Sequence, residues 1–372
     1  MAKETTSHTW TRAVSEEVGA RSRQPDVTGA LELDLIRRRL EEESLKASTA
    51  GRESNPLDDL VFLPANLTRM VIDPYREPCS TVTEICGRFA RHPMQMQMPL
   101  IVGPLAFRSA SENGKEAIRA ACEQCGIAYT VEGSDSLPEN GSCVLRVPGT
   151  DQGLEAAQRA SASAVEISFD RKSDNSDQHQ FADTIAAVRK KVDGQIPIGL
   201  SLGPENVREN VVRAVEARAD FLVLDLVPVE TDSEPAGDDE LQTPRLSALS
   251  SAVVALRKQG HEETIPIICR GGIRNGADVA RIISIGCAAA VLDHTALIAI
   301  SESPVSTIPS ASQKSPDDQA ESLARALKAT SHEITLVARA CGKTDIHNLE
   351  PEDLRALSLA AATAAGVPIV GQ

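Results

Sequence analysis

Two turns in the last third of this 372-residue chain hold the residue types that phosphate chemistry needs. Residues 265–300 read IPIICRGGIRNGADVARIISIGCAAAVLDHTALIAI. One apolar run breaks at Gly271, Gly272, Ile273 and Arg274. A helix-like segment follows, and a second apolar run ends in Asp293, His294 and Thr295. Glycines let backbone N–H groups approach a phosphate with no Cβ in the way. A helix opening behind them would point its N-terminal partial positive charge at the same place, and Arg274 would add a charge-assisted contact. The 293–295 turn offers N–H groups and a hydroxyl where "TALIAI" begins. Both turns therefore read as halves of a phosphate grip, against the plainer alternative of a tight turn that leaves a strand.

Such a grip needs a scaffold that brings two strand ends together. From residue 99 onward, short Val/Ile/Leu-rich runs recur: PLIVGPLA, IAYTVEG, SCVLRVP, SAVEISF, IPIGLSL, FLVLDLV, IPIICRG and AAAVLDH. They are continuous rather than alternating, as expected of parallel strands buried on both faces. Amphipathic segments such as ENGKEAIRAACEQC and VRENVVRAVEARA fill most intervals, whereas SDSLPEN is too short for a helix. Eight β-then-α units predict an α/β protein with a closed (β/α)8 barrel, and a doubly wound open sheet is the rival. The predicted organisation is an N-terminal helical extension (1–55), a barrel (56–300), and a linker with C-terminal helices (301–372). ALELDLIRRRLEEESLKA predicts an amphipathic helix in the extension. SESPVSTIPSASQKSPDD reads as a linker, and a helix is expected to open at Pro351 and Glu352.

Composition narrows the function. The formal charge of −15 argues against nucleic acid and anionic membranes as partners. No 18-residue apolar run and no signal-peptide core is present, so a cytoplasmic protein is expected. Cys122 and Cys125 form a C-x-x-C inside a helical pattern, with no second pair at zinc spacing; they read as buried small residues, and no metal site is expected.

The turn residues also carry a resemblance. Residues 269–300 are similar to the D-G-G-(L/I)-R-T-G-x-D-V and G-T-A-A-(L/M)-I-A elements of the FMN-binding domain of the glutamate synthase family. DDLVFLPANLTRMVIDPYREPCSTVTEI and CGKTDIHNLEPEDLRALSLAAATAAGVPIVG resemble the two ends of its short, stand-alone members, which include the FMN subunit of N-methylglutamate synthase. The resemblance implies FMN, with its phosphate on Gly271, Gly272, Arg274, Asp293, His294 and Thr295 and its ring near Gly103, Pro104 and Leu105. It implies hydride transfer of the 2-oxoglutarate/2-iminoglutarate to glutamate type on a small glutamate-like substrate. A partner subunit supplying ammonia or electrons, or self-association, is also compatible with it.

This chain departs from the pattern at several points. The family's three-cysteine run is absent from ISESPVSTIPSASQ, so no iron–sulfur cluster is expected. The lysine of a V-K-L context is missing from IPIGLSL, and two glycine-rich loops are replaced. Arg146 is the replacement cation the sequence offers first, with Arg171 and Lys172 behind it. Glu132 stands where the family carries an acid, and His294 is a flavin neighbour or general acid. A non-catalytic barrel that serves as scaffold or regulator is the alternative. A third reading, a barrel handling a phosphorylated metabolite, lacks a strand-end lysine for Schiff-base chemistry.

Overall fold

The computed structural model describes residues 12–23, 55–65, 77–133, 142–150, 162–169, 180–227, 245–301 and 315–371, with positions 153 and 155. The amphipathic segment predicted in the N-terminal extension lies outside these residues, as do 134–141 and 302–314. Among the described residues no helix is long and apolar enough to cross a membrane.

All eight apolar runs form strands: Leu100–Val102 (β4), Ala128–Glu132 (β5), Cys143–Pro148 (β6), Ala164–Ser168 (β7), Ile198–Leu202 (β8), Phe221–Asp225 (β9), Ile267–Arg270 (β10) and Ala289–Leu292 (β11). They pair in parallel and in chain order, and β11 returns to β4, so the sheet is a closed barrel. The open-sheet rival is thereby excluded. Among the described residues three short strands precede the barrel: Leu60–Phe62 (β1), Thr83–Ile85 (β2) and Met94–Met96 (β3).

Strand alternation sorts the side chains into two cores. Ile101, Val144, Val223, Ile268 and Val291 point into the barrel, where Ile85, Met94 and Met96 of the β2–β3 hairpin join them and plug its N-terminal end. Residues of opposite parity, such as Leu100, Val102 and Leu145, face the surrounding helices. With aromatics at 2%, the lumen relies on one large ring, the fully buried Phe221. Gly199 on the neighbouring strand makes room for it, because a Cβ there would lie 2.3 Å from the ring.

The helix Glu112–Cys125 opens on Ser111, whose hydroxyl accepts from the Gly114 N–H, and ends at the left-handed Gly126. Cys122 and Cys125 are buried on its inner face, and burial pushes both thiols up, which fits inert core residues. A 25-residue helix, Pro316–Ala340, packs across it, capped by Ser315 with Pro316, Asp317 and Asp318 in its first turn.

The helix expected at Pro351 is not one. Pro351–Asp353 is a single 3-10 turn, and Leu354–Ala356 (β12) then pairs antiparallel with β1. Leu354 and Ala356 are fully buried by that pairing, and the helix begins later, at Leu359, behind the Ser358 cap. Tertiary pairing here overrides a good local start signal.

Gly199→Val is expected to cost about 1–3 kcal/mol by overpacking the lumen, and Phe221→Leu in the same chain to recover part of that loss. Urea unfolding of the single and double variants measures it, and an unchanged midpoint for Gly199→Val would contradict the packing described.

Candidate active site at the barrel mouth

β10 places Ile268 in the lumen and Cys269 outside, so Arg270 points inward at the C-terminal rim. Its guanidinium donates to both Glu166 oxygens at 2.9 and 2.7 Å and to Asp225 at 3.2 Å. Glu166 is 1% exposed in the middle of β7. Its other flank meets Arg146 of β6, whose Nε lies 3.2 Å away. Arg146 donates onward to Glu132 of β5 at 2.8 Å, and Glu132 also accepts from Arg108 at 3.0 Å. On the far side Ser201 of β8 donates to Asp225 of β9 at 3.3 Å. The chain of contacts runs across six of the eight barrel strands.

These charges are held by one another. Burial alone would pull the Arg270 guanidinium down, but Glu166, Asp225 and Asp293 outweigh it and keep it charged. Two of its three nitrogens have carboxylate partners; its Nε is buried with no hydrogen-bond partner. Asp293, by contrast, has its carboxyl pushed up by burial, with Arg270, the Ala106 and Leu105 N–H groups and His294 pulling the other way. It accepts from the Ala106 N–H at 3.0 Å, in the first turn of the helix Pro104–Ser109. That contact explains Gly103, where a Cβ would lie 2.2 Å from the Asp293 carboxylate. His294 is held below the ordinary imidazole value by burial, against Asp293, and is therefore neutral near pH 7.

Above the charged layer lies a cleft of about 250 Å³, lined by both predicted turns through Gly271, Gly272, Ile273, Asp293 and His294. Pro104, Leu105, Glu132 and Arg146 also line it, with Arg270 at its base. Gly271 and Gly272 have φ of +99° and +72°, a region L side chains rarely adopt. Among the described residues no acceptor meets the N–H groups of Gly271, Gly272 or Ile273. The two turns are tied together: the buried Thr295 hydroxyl lies 3.3 Å from the carbonyl oxygens of Ile273 and Arg274.

Three expectations are corrected by this geometry. Arg274 does not face the cleft: it is 2% exposed and its guanidinium is taken by Asp278 at 2.7 Å and Asp58 at 2.9 Å. The helix Gly276–Ile285 does not open into the cleft either. Its Gly276 N–H donates to Glu333 of the helix Pro316–Ala340 at 2.9 Å and its Asp278 N–H to the Asn275 cap at 3.0 Å, so these two first-turn donors are already engaged. Gly103 and Thr295 support the cleft from behind rather than lining it.

Arg270 and Glu166 are not among the sequence candidates, though each carries a signal: Arg270 directly precedes the glycine turn, and Glu166 is a lone acid inside an otherwise apolar strand. A charge there must find a partner across the barrel.

This arrangement defines a class: a closed (β/α)8 barrel with a buried ionic layer and an anion-sized turn at its C-terminal mouth. Comparison with known proteins gives the particular kinship. Residues 155–303 match the family model described as the conserved region in glutamate synthase. A glutamate synthase large subunit-like protein of Rhizobium meliloti (strain 1021) is 26% identical over 88% of this chain and 90% of its own length. An archaeal-type glutamate synthase [NADPH] of Thermotoga maritima is 22% identical over 65% of this chain, which spans 60% of that relative. The chain is thus similar, at low identity, to proteins of the glutamate synthase family. Among solved structures, a mandelate oxidase superposes with a TM-score of 0.57 at 18% identity, covering 81% of this chain and 88% of its own. A flavocytochrome b2 superposes at 0.60 with 16% identity, covering 96% and 95%. Both share the fold.

Replacing Arg270 by Met strands Glu166 and Asp225 in the barrel, with an expected loss of about 3–5 kcal/mol. Adding Glu166→Gln should restore part of it; a double variant no more stable than the single one would contradict the pairing. His294 and His347 are both held low by burial, so the unfolded chain takes up protons first as pH falls. Stability should therefore drop below about pH 6.5, the unfolded histidine value. Urea midpoints measured across that range should flatten in a His294→Gln/His347→Gln variant.

Proposed function

We propose that this chain is an FMN-dependent oxidoreductase of the glutamate synthase type, acting on a small glutamate-like substrate. One observation carries the reading: a left-handed glycine pair with unmet N–H groups overhangs a cleft whose base keeps a buried arginine donor unmatched. Kinship with glutamate synthases supports the chemistry.

In this reading Gly271, Gly272 and Ile273 hold the FMN phosphate, and Asp293 and His294 bound it on the side of β11. Pro104 and Leu105 wall the ring. FMN, when bound, supplies the hydride chemistry, and the protein orients it and sets its electrostatics. Arg270 presents positive charge from below, taking the part the sequence first suggested for Arg146. Arg146 and Glu132 stand at the substrate side, where Arg146 would meet a carboxylate by loosening its hold on Glu132. Neutral His294 is placed to give or take a proton at the ring of the substrate cleft. Electrons or ammonia would come from a partner subunit.

The second reading, a non-catalytic barrel subunit, is favoured by a specific feature. Each mouth arginine is paired with a carboxylate, and the cleft lies just below the ~300–1,000 Å³ typical of ligand sites.

The test is direct. The purified chain, reconstituted with FMN, should retain it stoichiometrically by absorbance. Gly272→Asp should lose the flavin while keeping its circular dichroism, with a melting temperature lowered no further than in Gly272→Ala, which meets the same left-handed strain without the carboxylate. Photoreduced protein should be reoxidised by 2-oxoglutarate with ammonia, forming glutamate. Absence of flavin binding would overturn the proposal, and bound flavin without reoxidation would favour the scaffold.

A further inference from the structure

At the opposite, N-terminal end of the barrel, three arginines converge on one aromatic ring. The guanidinium carbons of Arg88, Arg189 and Arg218 lie 5.2, 5.2 and 5.6 Å from the Phe89 ring centroid. Each contact is individually favourable, because the ring face attracts a cation. Three like charges at one ring nevertheless repel one another, and something must offset them.

Among the described residues the only carboxylate in the group is Asp220, and it is already fully engaged. It accepts from the Phe89 N–H at 2.9 Å, from the Ile198 N–H at 2.9 Å and from Arg189 at 2.9 Å. Gly87 lets the loop come this close, since a Cβ there would lie 2.8 Å from the Asp220 side chain. The loop is pinned further by Arg91 and His92, whose N–H groups donate to the carbonyls of Gly194 and Gln195. The cluster is thus held on anchored backbone.

At the ring itself the count is three cations against one carboxylate, a local +2 on a chain of −15, with Glu84, Glu262 and Glu263 further out along the pocket that Arg88 also lines. Arg88 has only the imidazole of His261 as an acceptor, at 3.2 Å. The nearby Glu262 is taken by Arg257. Arg189 keeps a buried nitrogen, Nη1, with no hydrogen-bond partner. Arg88 and Arg218 are exposed.

We propose that this arginine-ringed Phe89 is a docking site for an acidic segment of a partner protein. Charge complementarity selects the occupant. A few side-chain carboxylates match a compact +2 site, whereas a nucleic acid is a long polyanion and would have to lie along an otherwise acidic surface. The site lies at the end of the barrel away from the cleft, so a docked partner would leave the mouth open.

Fluorescence anisotropy with a labelled deca-glutamate peptide tests this on the full chain at low salt. Binding is expected, weakening as salt is raised, and falling at least tenfold in Arg88→Gln/Arg218→Gln. Both positions are exposed and Arg189 stays with Asp220, so the melting temperature should hold. No binding, or binding that the double variant keeps, overturns the proposal. So does tighter binding of a single-stranded oligonucleotide, or displacement of the peptide by equimolar pyrophosphate, which would make this a small-anion site. Self-association abolished by the same variant would assign the surface to a second copy and equally overturn it.

Discussion

A buried arginine shared between two buried carboxylates is the constraint on which the mouth of this barrel depends. Arg270, Glu166 and Asp225 come from three strands, and none is tolerable alone in a lumen lined by Ile, Val and Ala. Taken together they satisfy most of each other's charge and fix the strand ends that carry them. The turn at Gly271 and Gly272 begins at the next residue, so its position follows from where Arg270 is held. Asp293, leaning toward the same arginine, also fixes the helix Pro104–Ser109 by accepting its N–H. The site is therefore built from its floor upward.

That floor also shapes what the cleft accepts. Arg108, Arg146 and Arg270 face Glu132, Glu166, Asp225 and Asp293, so the layer carries little net charge. The rim offers backbone N–H groups that meet no acceptor among the described residues, while the side-chain charges below are largely paired. The division resembles a general strategy for oxyanions, in which oriented amides do the holding and buried charges set the field. At the other end of the barrel the balance is reversed: arginines gather without enough carboxylates, on a loop held by Asp220.

Much of this was legible before any coordinates. Continuous apolar runs at regular spacing gave all eight strands, because a parallel strand covered on both faces can carry almost nothing polar. The adjacency of the two mouth turns followed from closure, since the last two strands of a barrel must be neighbours. The start of the helix Pro316–Ala340 was not legible, because its Ser315 cap and its first turn lie in the Ser- and Pro-rich segment that reads as a linker. The place of Arg274 is not legible for an equally local reason: it follows two glycines and, in sequence, has no acid beside it. Nothing in the sequence announced that Asp58, 216 residues away, and Asp278, one turn on, would claim it.

The sequence by itself determined the strand count, the direction of the strands and the place of the glycine turn at the mouth, because these rest on periodicity and on what glycine alone permits. Only the tertiary structure decided which arginine faces the cleft and which lies behind it. Ion pairing is settled by distance in space, and residues such as Glu166 and Arg270, 104 positions apart, meet only once the sheet has closed.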